Sequence, residues 1–470
     1  MNCFVKKFPL LLTAFMACVW LASSCKKNDF ITAPSAKLST SLDTLRFDTV
    51  FASTGSITQS FTVRNENDQA LLLNHIRLMG GGSSPYRINI NGLPSPNAEN
   101  ITLAANDSLY LFVTVTINPT TANLPFIVRD SIEIAYNGNN RYVQLEAFGQ
   151  NARFLRNEVI RGNVVWNNQL PYVILDRLQI DTTATLTLEA GCKVYSQAAA
   201  PILVNGSLRC NGTRTNPVVF RGARLDEAYK DLPASWPGIY FLTTSQNNQL
   251  IHTHIQNAYQ AIVAENPASS NNPKLTMQQC IIDNAYDAGI LAVNTSLAVN
   301  NTLLSNCGSN INLVLGGEYT FTHCTVAAYP AFFQHTYPVL SVGNGALING
   351  NPVSAPINAQ FKNCIFWGTG GMVDDEVQIK KQGATPFDVR FNNCLLKNNT
   401  LPAAATFINC LQNQDPLFDS IQVSRRYFDF HTNAANAPGI NKGIPTPFAE
   451  DLDGNTRNVV LPDLGCYEKQ

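Results

Sequence analysis

Two clusters of charged side chains in this 470-residue chain have the residue types that polysaccharide cleavage needs. One is Asp374, Asp375 and Glu376 followed by Lys380 and Lys381; the other is Arg221, Arg224, Asp226, Glu227, Lys230 and Asp231. Eliminative cleavage takes carboxylates that hold a cation against a uronate and a basic group that removes the adjacent proton. Inverting hydrolysis takes two carboxyl groups about 6.5–9.5 Å apart. Asp374, Asp375 and Lys380 are the catalytic candidates on these grounds. Solvated loop charge is the simpler account, so binding without catalysis leads and catalysis is the alternative. No cofactor is expected, save calcium if the chemistry is that of a lyase.

Trp236, in Ser235-Trp236-Pro237-Gly238, is a glycan-contact candidate, because an indole can stack on a sugar ring; beside a Pro-Gly turn it can equally cover a corner of a core. Metal ligation is not expected. His252 and His254 would share a strand face, and His323 falls in the column of His252 three repeats away, about 14 Å, too far for one ion. Asp451, Asp453 and Asn455 have a calcium-loop look, but Gly454 and Pro462 stand at the wrong places for an EF-hand, so a turn is expected, with Arg457 pairing to Asp451 or Asp463. Nine cysteines lie beyond Cys25 without CxxC spacing, which suits buried free thiols.

The elements that must position these groups come from a repeat. Asn363-Cys364-Ile365-Phe366 returns as Asn393-Cys394-Leu395-Leu396 and Asn409-Cys410-Leu411, and in varied form at Gln279-Cys280, Asn301-Thr302 and His323-Cys324. Cys280, Thr302 and Cys324 are 22 residues apart, and 252–259 aligns with 279–286 throughout. Such a period, with few apolar residues per repeat, means coils that bury their faces only by stacking. Asn at a fixed phase suits a bend in left-handed backbone, where its amide can reach the next coil. Apolar residues two apart around it set a strand period. These repeats resemble the right-handed parallel β-helix of pectate-lyase-like proteins. Asp374-Asp375 with Gln378-Ile379-Lys380 is similar to the paired aspartates and Arg-Ile-Lys motif of polygalacturonases, with Gln378 in place of Arg; that family's Asn-Thr-Asp and Gly-His-Gly segments are missing.

Around the repeat, the expected order is a signal at 1–25, a tether at 26–37, a β-sandwich at 38–152, the β-helix at 153–414 and a C-terminal cap at 415–470. Lys6 and Lys7 precede an apolar run and Ala22-Ser23-Ser24-Cys25, which resembles a lipobox with Cys25 as the lipidated residue. Lys26-Lys27-Asn28-Asp29 is similar to export tags of Bacteroidetes surface lipoproteins. Short alternating runs from Ile57 to Phe148, punctuated by Gly, Pro and Asn, indicate an immunoglobulin-like sandwich, and 63–65, 130–134 and 143–149 resemble hydin-type modules. The C-terminal Asp451-Leu452-Asp453-Gly454-Asn455-Thr456-Arg457 and Asp463-Leu464-Gly465-Cys466-Tyr467-Glu468 resemble the terminal cap of bacterial β-helix proteins. Six Asp-Ser/Thr triplets are similar to the O-glycosylation sequon of exported Bacteroidetes proteins, with Thr44 and Thr49 the candidate acceptors; the same triplet also hands a turn over to a strand.

Composition is that of an exported, folded chain: 45% hydrophobic, 14% charged, net charge −1 and no large basic patch, which argues against a nucleic-acid partner. The expectation is therefore an all-β protein anchored to the outer membrane through lipid, on the cell surface or the periplasmic face, that binds polysaccharide or a surface protein. A lyase or glycoside hydrolase is the alternative, and a structural adhesin the third reading.

Overall fold

The computed structural model describes residues 30–52, 55–118, 126–269 and 272–469. The signal, Cys25 and residues 26–29 of the expected tether lie outside them. The protein is all-β and divides into two compact units, Met1–Asn151 and Ala152–Gln470.

In the first unit, two five-stranded sheets share one core. Strand Ser108–Val115 shows why: Leu109, Leu111, Val113 and Val115 point inward while Ser108, Tyr110 and Phe112 point out, the period of two that a half-buried strand requires. The chain changes sheets early. Leu38–Thr40 pairs antiparallel with Gln59–Asn65, and after three residues Thr44–Phe51 runs parallel to Asn139–Gln150 in the other sheet, burying Leu45 and Phe47. Residues 30–37 are not a free tether. Ile31 packs on the core, Ala36 is buried, and the amides of Asn137, Asn139 and Asn67 donate to the carbonyls of Ile31, Pro34 and Lys37.

The second unit stacks short strands into long parallel ladders. A first ladder of 11 strands runs from Arg153–Leu155 to Leu411–Gln412. A 17-stranded sheet carries two more, a second ending at Val377–Lys380 and a third ending at Thr406–Ile408, joined by the long strands Ala288–Asn300 and Ser309–Thr322 that bend through both. Up to Val377–Lys380 each coil thus contributes a segment to each ladder. The 22-residue offset holds in register: Ile281, Leu303 and Thr325 are successive partners in the first ladder. Inward columns follow: Ile255, Ile282, Leu304, Val326, Phe366 and Leu396 in the first ladder, and Phe321, Phe361, Phe391 and Phe407 in the third, with rings 5.3, 4.6 and 4.8 Å apart.

Corners carry the positive-φ residues. His252, Gln279, Asn301, His323, Asn363, Asn393 and Asn409 all have φ between 40° and 54° and form one column between the third and first ladders. Asn257, Asn284 and Asn306 form a second between the first and second ladders, and the Asn284 amide donates to Asn257 Oδ1 at 2.9 Å. Asparagine suits these positions because its short polar side chain tolerates left-handed backbone.

The C-terminal residues correct the expected cap. They run back along the first corner as a strap: Asn393, Asn363, Asn301 and Gln279 donate in turn to the carbonyls of Lys442, Ile444, Glu450 and Asp451 at 2.6–3.0 Å. Beneath the strap, outward side chains of the first ladder, Leu303, Ile365, Trp367 and Leu395, bury against Phe430, Leu452, Leu464 and Cys466 in a second core. The first-ladder strands therefore have two apolar faces, which is why Ile365-Phe366-Trp367 does not alternate. Arg457 pairs with neither Asp451 nor Asp463; its guanidinium meets Glu468 at 3.1 Å and also donates to Asn301 Oδ1 and the Gly465 carbonyl. Asp451 instead accepts the backbone N–H groups of Asp453, Asn455 and Glu468, which closes the turn.

Candidate functional site

The expected catalytic trio does not assemble. Asp374 is exposed, Asp375 accepts the Asn399 N–H at 2.6 Å and so holds a turn, and Lys380 projects to solvent from Val377–Lys380; none of the three bonds to another. Their neighbour Glu376 is fully buried against His335 Nε2 at 2.9 and 3.0 Å and accepts the Val339 N–H, a partnership that nothing in the spacing announces. Trp236 is 1% exposed inside the main core, with its indole N–H donating to the Gln256 carbonyl at 2.8 Å, so it covers a corner and has no face to offer a sugar. Thr44 and Thr49 lie half-buried within a continuous strand, paired with Gln144 and Phe148. At Asp107 and Asp181 the carboxylate accepts the N–H of the following Ser or Thr, the turn role open to such triplets, whereas Asp130 lies within the strand Phe126–Tyr136 and accepts the Gly80 N–H. The nine cysteines beyond Cys25 are free thiols; all but Cys410 are buried.

The second charged cluster divides. Arg224 is consumed by Asp226 through two bonds of 3.1 Å and by the face of Tyr229, and Lys230 by Glu227 at 2.6 Å. Arg221 and Asp231 turn instead to a pocket of about 250 Å³ at the corner between the first and second ladders. The Asn column builds it: Asn257 and Asn284 donate to the carbonyls of Lys230 and Asp231, which pins the loop to the coils. Asp283 enters from Ile281–Asp283 of the first ladder, and Arg426 comes from the C-terminal segment, 3.9 Å from Asp231 and over the ring of Phe332. Burial pushes the Asp283 carboxyl above its usual range, the charge of Asp231 adds to the rise, and bonds from Ser305 and Asn306 oppose it. Arg221 Nε has no hydrogen-bond partner among the described residues.

Two residues past each corner Asn stand Tyr259 and Tyr286, 45% and 51% exposed, with rings 5.9 Å apart and 25° from parallel. They belong to the aligned repeat 252–259 and 279–286, where a repeated Asn-Ala-Tyr is the sequence signal of the ridge. Phe333 meets Tyr286 edge-on at 5.7 Å, and its neighbour Phe332 lines the pocket, which joins ridge to pocket. Asp283 and Arg426 carry no motif in the sequence that marks them for a site. An arrangement of stacked aromatic faces beside carboxylate, amide and guanidinium groups can hold a polyhydroxylated ring from its flat side and its rim. Among the described residues no three His, Cys, Asp or Glu side chains converge as a metal-ligand set.

No family model and no curated protein matches the sequence. Partial structural likenesses include a family 123 glycoside hydrolase from Clostridium perfringens (11% identity, 26% of each chain, TM-score 0.18), the PapD-like domain 7 of human CEP192 (10%, 27% of this chain and 94% of that one, 0.18) and the alkylpurine DNA glycosylase AlkC of Pseudomonas fluorescens (13%, 25% and 31%, 0.16). The chain spans about a quarter of the length of the first of these. At such scores the likenesses carry no argument about fold or function.

Proposed function

We propose that this chain is an exported lipoprotein, anchored at the outer membrane through Cys25, whose second unit is a right-handed parallel β-helix that binds glycan without catalysis. The first unit is an immunoglobulin-like spacer between anchor and β-helix. The single observation that carries the binding reading is the pair of exposed, stacked tyrosines on successive coils beside a polar pocket. Parallel ladders built from one strand per coil support the β-helix, and the strong preference of parallel crossovers for one hand supports its handedness. Isothermal titration against a panel of neutral and uronate oligosaccharides tests the proposal. Tyr259→Ala and Tyr286→Ala should each weaken the bound glycan about tenfold, the worth of one aromatic stacking contact. Unchanged affinity in both variants would remove the ridge from the site.

Asp283 favours a second reading, in which the pocket hydrolyses its glycan with Asp283 as acid and Asp231 as base. New reducing ends from the wild type that disappear in Asp283→Asn would establish it over binding alone.

A further inference from the structure

A different face of the second unit holds a groove of about 880 Å³ across the outside of the third ladder. Its floor is a column set by strand register: Ser296 pairs with Glu318, Glu318 with Asn358, and Asn358 with Asp388, one residue from each of four successive coils. Pro267 and Pro273 line it at one end, and Pro356 and Pro386 line it beside the last two floor positions. Coils repeat every 4.8 Å or so, which makes the floor about 14 Å long with a hydrogen-bonding side chain at each step.

We infer that this groove is a second binding site, for an extended uncharged polysaccharide lying along the coil axis. Polar side chains spaced at the coil repeat of about 4.8 Å, on the scale of one sugar ring, let successive sugars each meet a hydrogen-bonding group. The groups are suited to that role. Glu318 is exposed and has no hydrogen-bond or ionic partner among the described residues, so both its oxygens can accept from hydroxyls. Asn358 keeps its amide N–H donors, its oxygen being used by Gln360 at 2.7 Å. Asp388 is compensated by Arg390 at 2.7 Å and retains a second oxygen. The charge arrangement selects the sugar class: the uncompensated carboxylate of Glu318 in mid-groove repels uronate and sulfated chains, and a neutral chain meets no such penalty. The site is independent of the tyrosine corner, which lies between other ladders.

The test is made on the full chain carrying Tyr259→Ala and Tyr286→Ala, so that the groove alone is read. Titration with neutral oligosaccharides of two to eight sugars should give affinity that rises to about four sugars, the number of floor positions, and then levels. Adding Glu318→Ala should weaken the tetrasaccharide at least about tenfold, the loss of a hydrogen bond to a charged group, and Asn358→Ala about threefold or more, the loss of a neutral one. Both side chains are exposed, so an unchanged thermal midpoint accompanies that loss. Absence of neutral-chain binding, affinity independent of length, preference for a uronate chain, or undiminished binding by both variants would each overturn the inference.

Discussion

Asn363→Ala should loosen the strap from the coils. The side chain holds the strap by two opposed bonds: its amide donates to the Ile444 carbonyl at 2.7 Å, and its oxygen accepts the Ile444 N–H at 3.0 Å. The amide also lies 3.1 Å from His323 Nε2, and the residue is fully buried at φ 54°. Two neutral hydrogen bonds contribute about 2 kcal/mol, and the Ile444 groups left without partners add about 1 kcal/mol. Alanine in left-handed backbone costs about 1 kcal/mol more. The sum is about 4 kcal/mol for the strapped unit. Asn409 isolates the backbone part, since it has φ 50° in the same column, is exposed, and makes no bond to the strap; Asn409→Ala should cost about 1 kcal/mol. Asn363→Gly separates the parts the other way, removing the strain and keeping the loss of bonds, for about 3 kcal/mol. The assay is urea denaturation followed by tryptophan emission, because Trp367 lies beneath the strap at 8% exposure and reddens when it lifts. Equal losses for Asn363→Ala and Asn409→Ala would refute the strap as a stabilising element.

Cys364 and Cys394 are fully buried in one column, so Cys364→Asp should abolish folding of the second unit by burying an unpaired charge, whereas Cys364→Ala should cost about 1–2 kcal/mol for a small cavity; comparable soluble yields of the two variants would contradict the inward register. His431 bridges Asp453 and Asp429 at 2.8 and 2.5 Å, and those carboxylates raise its pKa to about 9. The folded chain therefore holds this proton more tightly than the unfolded one, and the bridge contributes about 1–2 kcal/mol after solvent screening, in full below about pH 6.5 and lost as pH rises through about 9. A denaturation midpoint with the same pH dependence in wild type and His431→Gln would show the bridge to be inert. Cys25→Ser should leave the protein uncleaved or released from membranes, and fractionation identical to wild type, with no acylated N-terminal peptide, would count against the anchor. Strand pairing of Thr44 and Thr49 leads us to expect no glycan there in protein from the native host; a mass excess abolished by Thr44→Ala with Thr49→Ala would prove the opposite.

Sequence by itself determined what is local and repeated. The 22-residue phrase specified parallel coils in register, because a period of two within each strand and a left-handed Asn at each corner are short-range demands that any one coil must meet. The buried thiols follow from the same phase, since Cys364 and Cys394 occupy the first inward position after the corner. Tertiary structure alone decided whatever depends on distant segments meeting. The C-terminal residues look like a cap in sequence, yet free amide donors along the corner and the outward apolar face of the first ladder draw them back over coils already formed. Trp236 became a core residue because the preceding loop folds onto the coils, and the corner pocket collects Arg221, Asp231, Asp283 and Arg426 from four places in the chain. Asp374, Asp375 and Glu376 show the limit in the other direction: three adjacent carboxylates end as an exposed charge, a turn acceptor and a buried partner of His335, because neighbours along a chain that is turning into a strand point in different directions.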